Sequence, residues 1–153
     1  MSKIYKVVMS ILFLFSLSSC TSLGEVDPKK EINLTGTGKA RITGESEDKK
    51  TVWASDKKIF ITSLDGKLFR RMGLDSDFPA SLLIDPGKHE IGIRYIAGPL
   101  FSDAVLWLNA EPEKSYIIKK KTAGYSVSFW LEDMNTGKKV GSVFGEDDSQ
   151  KAK

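Results

Sequence analysis

The sequence predicts an all-β protein: a small antiparallel β-sandwich of about seven to nine strands. Three observations predict it. Between Thr51 and Phe144, apolar and polar residues alternate over short stretches, and no long segment keeps the roughly 3.6-residue apolar period of a helix. Turn-forming residues punctuate these stretches at short, regular intervals. The apolar runs are rich in Ile, Val, Phe, Tyr and Trp, side chains that suit a pleated surface. Short strands with closely spaced turns close around one core as a sandwich or a small barrel.

The first element is not part of that domain. Lys3 and Lys6 give the chain a basic start, and an apolar run of 11 residues follows from Val7 to Leu17. A helix of that length spans about 16 Å at ~1.5 Å per residue, too short for a hydrocarbon core of ~30 Å. The run therefore reads as a secretory signal rather than a permanent membrane span. It ends in Leu17-Ser18-Ser19-Cys20, with an aliphatic residue, two small residues and the only cysteine. This resembles the lipobox of bacterial lipoproteins.

The resemblance implies a diacylglyceryl thioether on Cys20, cleavage after Ser19 and acylation of the new amino terminus by a fatty acid such as palmitate. Membrane lipid then becomes a partner through acylated Cys20. One acyl chain binds marginally, whereas two or more anchor stably. An Asp after the cysteine tends to retain such proteins at the inner membrane. Thr21 stands there instead, so the resemblance favours the outer membrane, facing the periplasm.

Cleavage at that point removes residues 1–19 as signal peptide and leaves 134 residues with a formal charge of +1. The basic balance of the full chain is thus largely a property of the signal, and no nucleic-acid partner is expected. With its thiol consumed by lipid, Cys20 closes no disulfide within the chain. Stability must come from the core, which ~110 residues can supply. Residues 20–50, rich in Gly, Thr, Ser, Lys and Glu, read as the lipid anchor and a flexible tether. A short strand is expected there at Ala40–Thr43.

The sandwich domain is expected over 51–144, and residues 145–153 as a disordered tail. Its strands are expected near 51–54, 58–64, 67–71, 80–84, 89–96, 103–110, 115–121 and 125–132, with a ninth at 139–144. Asp65-Gly66 readily adopts the positive φ angles of a tight hairpin turn. Asp85-Pro86-Gly87-Lys88 combines a Pro that presets one turn angle with a Gly that permits the next. Further breaks fall at Ala97-Gly98-Pro99, Glu111-Pro112-Glu113, Ala123-Gly124 and Asn135-Thr136-Gly137. Alternation assigns Ile91, Ile93, Tyr95, Leu106, Leu108, Tyr116, Ile118, Val127, Phe129 and Leu131 to the core.

Within this domain, Pro86-Gly87-Lys88-His89, Ala110-Glu111 and Tyr116 follow one another between strands. The pattern resembles that of small surface β domains of the PEGA and transthyretin-like kind. The resemblance implies a sandwich and supplies no activity.

Catalytic groups are scarce. His89 is the only histidine, so no multi-histidine metal site forms, and no free thiol remains for a Cys–His pair. Neither a metal nor a cofactor is expected, and an enzyme is not. Asp75 and Asp77, Glu111 and Glu113, and Asp147 and Asp148 form carboxylate pairs in polar segments. A hydrolase would need the fold to bring such groups together across a substrate. Asp75-Ser76-Asp77 lacks the remainder of a calcium loop. Gly36-Thr37-Gly38-Lys39 lacks the spacing and the following hydroxyl of a phosphate loop.

Two features suggest contact surfaces. Lys119-Lys120-Lys121, with Arg70-Arg71, is a basic cluster that could meet anionic lipid or lipopolysaccharide; alternation puts Lys119 and Lys121 on one face. Val105, Trp107 and Trp130 fall on the faces opposite the assigned core, and exposed aromatic groups on a sheet mark contact surfaces. The expected function is a lipid-anchored, non-catalytic structural or interaction module. Its expected partner is an envelope protein or a cell-wall component.

Overall fold

The computed structural model describes residues 24–25, 27, 32–47, 57–69 and 78–145. These form eleven strands: β1 (Gly24–Glu25), β2 (Ala40–Gly44), β3 (Ser46–Glu47), β4 (Lys57–Leu64), β5 (Lys67–Leu68), β6 (Ser81–Ile84), β7 (Gly87–Ala97), β8 (Leu100–Ala110), β9 (Ser115–Ala123), β10 (Ser126–Asp133) and β11 (Lys139–Phe144). No helix occurs among the described residues. One sheet has the order β1-β6-β2-β9-β10-β11, and the other has β3-β4-β7-β8 with β5 also on β4. Among the described residues the one parallel pair is β2 with β9.

The two inner faces meet as a sandwich. Ile59, Ile61, Ile91, Ile93, Leu106 and Leu108 from one sheet join Ile42, Leu82, Ile118, Phe129 and Leu131 from the other in one buried cluster. Tyr95 and Phe129 touch across it edge to face, with ring centroids 6.2 Å apart. That geometry suits the ring quadrupoles. Every residue assigned to the core by alternation is buried, except Val127, which is half-buried against the cluster.

The strands expected from residue 58 onward are present, β5 in shortened form. The expectation at 51–54 and residues 70–71 of the strand expected at 67–71 lie outside the described residues, as does the tail beyond residue 145. Asp65 and Gly66 take φ angles of 51° and 75°, the left-handed pair that a two-residue hairpin turn requires. Asp85-Pro86 leads from β6 in one sheet to β7 in the other, so it arches over the core rather than closing a hairpin.

The main correction concerns residues 20–50. The short strand expected at Ala40–Thr43 is present as Ala40–Gly44, but rather than lying in a flexible tether it is the third strand of the six-stranded sheet, with all five of its residues buried. The fold therefore begins before residue 51. The reason is long-range: β2 is held by β6 on one side and β9 on the other, both distant in sequence.

Two seams join the sheets. At the first, the chain passes from β2 to β3 through Gly44 and Glu45. The Gly44 N–H donates to the Ala80 carbonyl, the Glu45 N–H to Ile118, and the Ile59 N–H to the Glu45 carbonyl. A Cβ on Gly44 would lie 2.0 Å from the Ile59 carbonyl oxygen, so the crossing requires glycine. At the second seam, β11 lies along β8. The Trp107 N–H donates to the Ser142 hydroxyl at 2.7 Å, and Gly141 sits so close that a Cβ would lie 2.1 Å from the Trp107 carbonyl.

The strand directions define two ends. The turns at 35–39, 65–66, 85–86, 111–114 and 134–138 share one end, tied by the Glu113 N–H to Lys39 O, the Asp65 N–H to Glu90 O and the Met134 N–H to Ser115 O. The turns at Gly98-Pro99 and Gly124-Tyr125 and the end of β11 lie at the opposite end.

Candidate functional site

Strand β8 alternates strictly. Ala104, Leu106, Leu108 and Ala110 face the core, while Phe101, Asp103, Val105, Trp107 and Asn109 face outward. Val105 is 47% exposed, Trp107 54% and Phe101 67%. Antiparallel pairing with β7 sets Glu90 opposite Trp107, Gly92 opposite Val105 and Arg94 opposite Asp103. Gly92 leaves the cross-strand position beside Val105 without a side chain. The Arg94 guanidinium donates to both Asp103 oxygens at 2.7 and 2.9 Å and lies 5.0 Å from the Phe101 ring centroid. It also lies 5.8 Å from the Phe78 ring. The outer face thus presents a stripe of apolar side chains interrupted by one locked ion pair.

Val105 and Trp107 are where the sequence places them. Trp130 also faces outward, but on β10 of the other sheet, so the two tryptophans do not form one patch. The Trp130 indole is half-buried; its Nε1 donates to Glu132 at 2.7 Å, and the Lys139 ammonium lies 4.6 Å from its ring. Phe101 and Leu100 are the contributions that sequence reasoning missed. The strand begins at Leu100, three residues earlier than alternation alone indicates.

The basic run resolves into three different environments. Lys119 faces outward opposite Trp130 and pairs with Glu45 at 2.8 Å. The Lys120 side chain is only 5% exposed, lies 5.3 Å from the Tyr95 ring, and pairs with Glu45 at 3.4 Å and with Glu47. Burial works against its charge, but the Glu47 and Glu45 carboxylates outweigh burial and hold the ammonium above its ordinary value. Lys121 is exposed beside Ser128. The run is therefore in large part a clamp on the Glu45 crossing rather than an open cationic face. Arg70-Arg71 lies outside the described residues.

The remaining polar candidates hold turns. The His89 ring nitrogens reach Asp65 Oδ2 at 2.7 Å and the Asp85 carbonyl at 2.8 Å, joining two turns. Burial raises the Asp65 carboxyl, but the Glu90 N–H and His89 outweigh it and hold it below its ordinary value. Glu111 pairs with Lys114 at 2.8 Å, whereas Glu113 accepts the Gly36 N–H at 2.6 Å, so this carboxylate pair is split between two tasks. Asp133 is buried and accepts the N–H groups of Asn135 and Thr136 at 2.8 and 3.1 Å. Burial raises its carboxyl too, and those donors with Lys114 bring it below the ordinary value.

An open polar groove of about 460 Å³ lies beside these turns, lined by Ile32, Asn33, Leu34, Thr35, Glu113, Ser115 and Asn135. Among the described residues no three His, Cys, Asp or Glu side chains gather as a metal site. Cys20, Asp75, Asp77, Asp147 and Asp148 lie outside the described residues. Compared with known protein families, curated proteins and solved structures, the chain matches none.

Proposed function

We propose that this chain is a lipid-anchored envelope protein whose β-sandwich serves as a non-catalytic structural or interaction module. Acylated Cys20 holds it at the periplasmic face of the outer membrane, and its partner is another envelope protein or a cell-wall component. The observation that carries the interaction role is the outer face of β8. Val105 and Trp107 stay exposed on a strand whose opposite face, from Ala104 to Ala110, is core. Large apolar side chains on a rigid sheet give contact area at little cost in conformational entropy. The anchoring role rests on Leu17-Ser18-Ser19-Cys20.

A non-catalytic role is supported by the use of His89, Glu111, Glu113 and Asp133 in turn-holding bonds. The pairing of Lys119 and Lys120 with Glu45 and Glu47 weakens the case for an anionic-lipid site on β9.

The test places a photo-crosslinking residue at position 107 of the full chain in intact envelopes. A discrete protein or glycan adduct, absent when the probe stands at the exposed turn residue Thr136, is the expected result. Equal labelling from both positions would remove the β8 contact surface. In parallel, Cys20→Ser should move the folded protein from the membrane to the soluble fraction.

A further inference from the structure

We infer that the domain is held upright and close to the bilayer, with the end carrying the turns at 35–39, 65–66, 85–86, 111–114 and 134–138 against the lipid headgroups. This rests on the acylation of Cys20 proposed above and adds the orientation that acylation alone leaves open. The argument comes from the strand nearest that cysteine. β1 pairs Gly24 with Leu83 and Glu25 with Leu82, antiparallel to β6. Because β6 runs toward Asp85, β1 runs away from it, and the chain enters the fold from the Asp85 end. Gly24 lies level with Leu83, only one residue short of the end of β6.

Four residue steps separate Cys20 from Gly24, a reach of at most about 13–14 Å at ~3.3–3.6 Å per residue. Part of that reach only returns the chain from Gly24 to the level of Asp85, about two residues or 7 Å at ~3.3 Å per residue. The slack left beyond the rim is therefore shorter than the domain is tall. β8, of 11 residues, spans roughly 33 Å at ~3.3 Å per residue. A body this much longer than its tether cannot tumble freely about the anchor.

The chemistry of the rim suits a headgroup layer. Lys39 pairs with Asp85 at 2.5 Å, His89 with Asp65 at 2.7 Å, and Lys114 with Glu111 at 2.8 Å. Positive and negative groups alternate there, so neither zwitterionic nor anionic lipid meets a field of one sign. Met134 is an exposed large apolar side chain at this rim. Leu100, Phe101 and Tyr125 lie at the opposite end, directed away from the anchoring bilayer, and the apolar stripe of β8 stands along the membrane normal.

The test uses full-length, acylated protein in vesicles of phosphatidylethanolamine and phosphatidylglycerol with a headgroup-linked acceptor dye. Because Cys20 is blocked by lipid, Asn135→Cys or Tyr125→Cys supplies a single thiol for a donor fluorophore. Energy transfer from position 135 should exceed that from position 125 several-fold, as expected for sites separated by roughly 30 Å. Inserting about ten Gly and Ser residues before Gly24, which adds roughly 17 Å of r.m.s. reach, should erase most of the difference. Equal transfer from the two positions in floating vesicles would overturn the orientation alone, as would a difference that the insertion leaves unchanged. Protein that fails to float with the vesicles would overturn the anchor, and the orientation with it.

Discussion

β2 and β8 carry similar alternating sequences and have opposite fates. In β2, Ala40 and Ile42 face the core, and the outward residues Arg41 and Thr43 are buried as well. The Arg41 Nε donates to Ser81 Oγ at 3.1 Å, and Thr43 Oγ1 lies 2.9 Å from the same hydroxyl. Arg41 Nη2 also donates to the Asp27 carbonyl at 3.0 Å. In β8, the outward Phe101, Val105 and Trp107 are apolar and exposed. The polar outward face is thus consumed by structure, while the apolar outward face is left free. An outward polar residue needs a partner once it is covered, whereas an outward apolar residue left uncovered is available to another molecule. The contrast separates what holds this fold together from what it offers.

The largest expected effect attacks β2 from its core side. Ile42→Ala should destabilise by about 2–5 kcal/mol, because Ile42 is fully buried between the sheets and the surrounding strands cannot collapse into the space. The urea midpoint measures it. If residues 40–44 merely lay against a complete sandwich, the loss would stay under about 1 kcal/mol and the contrast with β8 would fail.

The Gly44 crossing comes next. Gly44→Ala drives a methyl group into the Ile59 carbonyl, which belongs to a backbone pinned by β3 and β7. A loss of about 1–3 kcal/mol is expected, from overpacking rather than from any lost contact. Ser81→Ala should cost a similar or slightly smaller amount, about 1–3 kcal/mol, because its hydroxyl serves Arg41 and Thr43 together and also donates to the Ile42 carbonyl at 3.0 Å.

Much of β8 and its neighbours was legible because each inner residue obeys a local period and each turn carries its own chemistry. Asp65-Gly66 and Gly98-Pro99 declare hairpins whatever lies around them. β2 was legible as a short strand, but its buried place in the middle of a sheet was not. Ala40-Arg41-Ile42-Thr43-Gly44 is short, is preceded by Gly36-Thr37-Gly38-Lys39, and has its pairing partners at 81–84 and 115–118. The role of the lysine run was hidden for the same reason. Its counter-charges, Glu45 and Glu47, stand more than 70 residues away and reach it only through the crossing between sheets. The exposure of Trp107 was readable as alternation, whereas the separation of Trp130 onto the other sheet required the strand order.

Acid should act on the turns that set the ends of these strands. Asp65 and Asp133 both titrate below their ordinary value of 3.8 in the folded chain. Their stabilising contribution is therefore present above that value and is lost as the pH falls through the lower folded-state values. The urea midpoint should drop on going from about pH 5 to about pH 3. Asp133→Asn, which keeps an acceptor for the Asn135 and Thr136 N–H groups, should flatten part of that slope. An unchanged slope would assign the acid loss to other carboxylates.

The smallest expected effect on stability is the most telling about function. Trp107 is joined to β11 through its backbone: its N–H meets the Ser142 hydroxyl, and its carbonyl lies against Gly141. Neither contact uses the indole, which is more than half exposed beside Val105. Trp107→Ala should therefore shift stability by no more than about 0.5 kcal/mol, the usual range for a surface position. It should nevertheless abolish the adduct captured from a photo-crosslinking residue placed at position 105. A large loss of stability would mean that the indole is structural, as Arg41 is in β2. A small loss with the adduct intact would keep the contact on β8 but free it from the indole. Stability retained together with capture lost assigns the contact to the Trp107 indole.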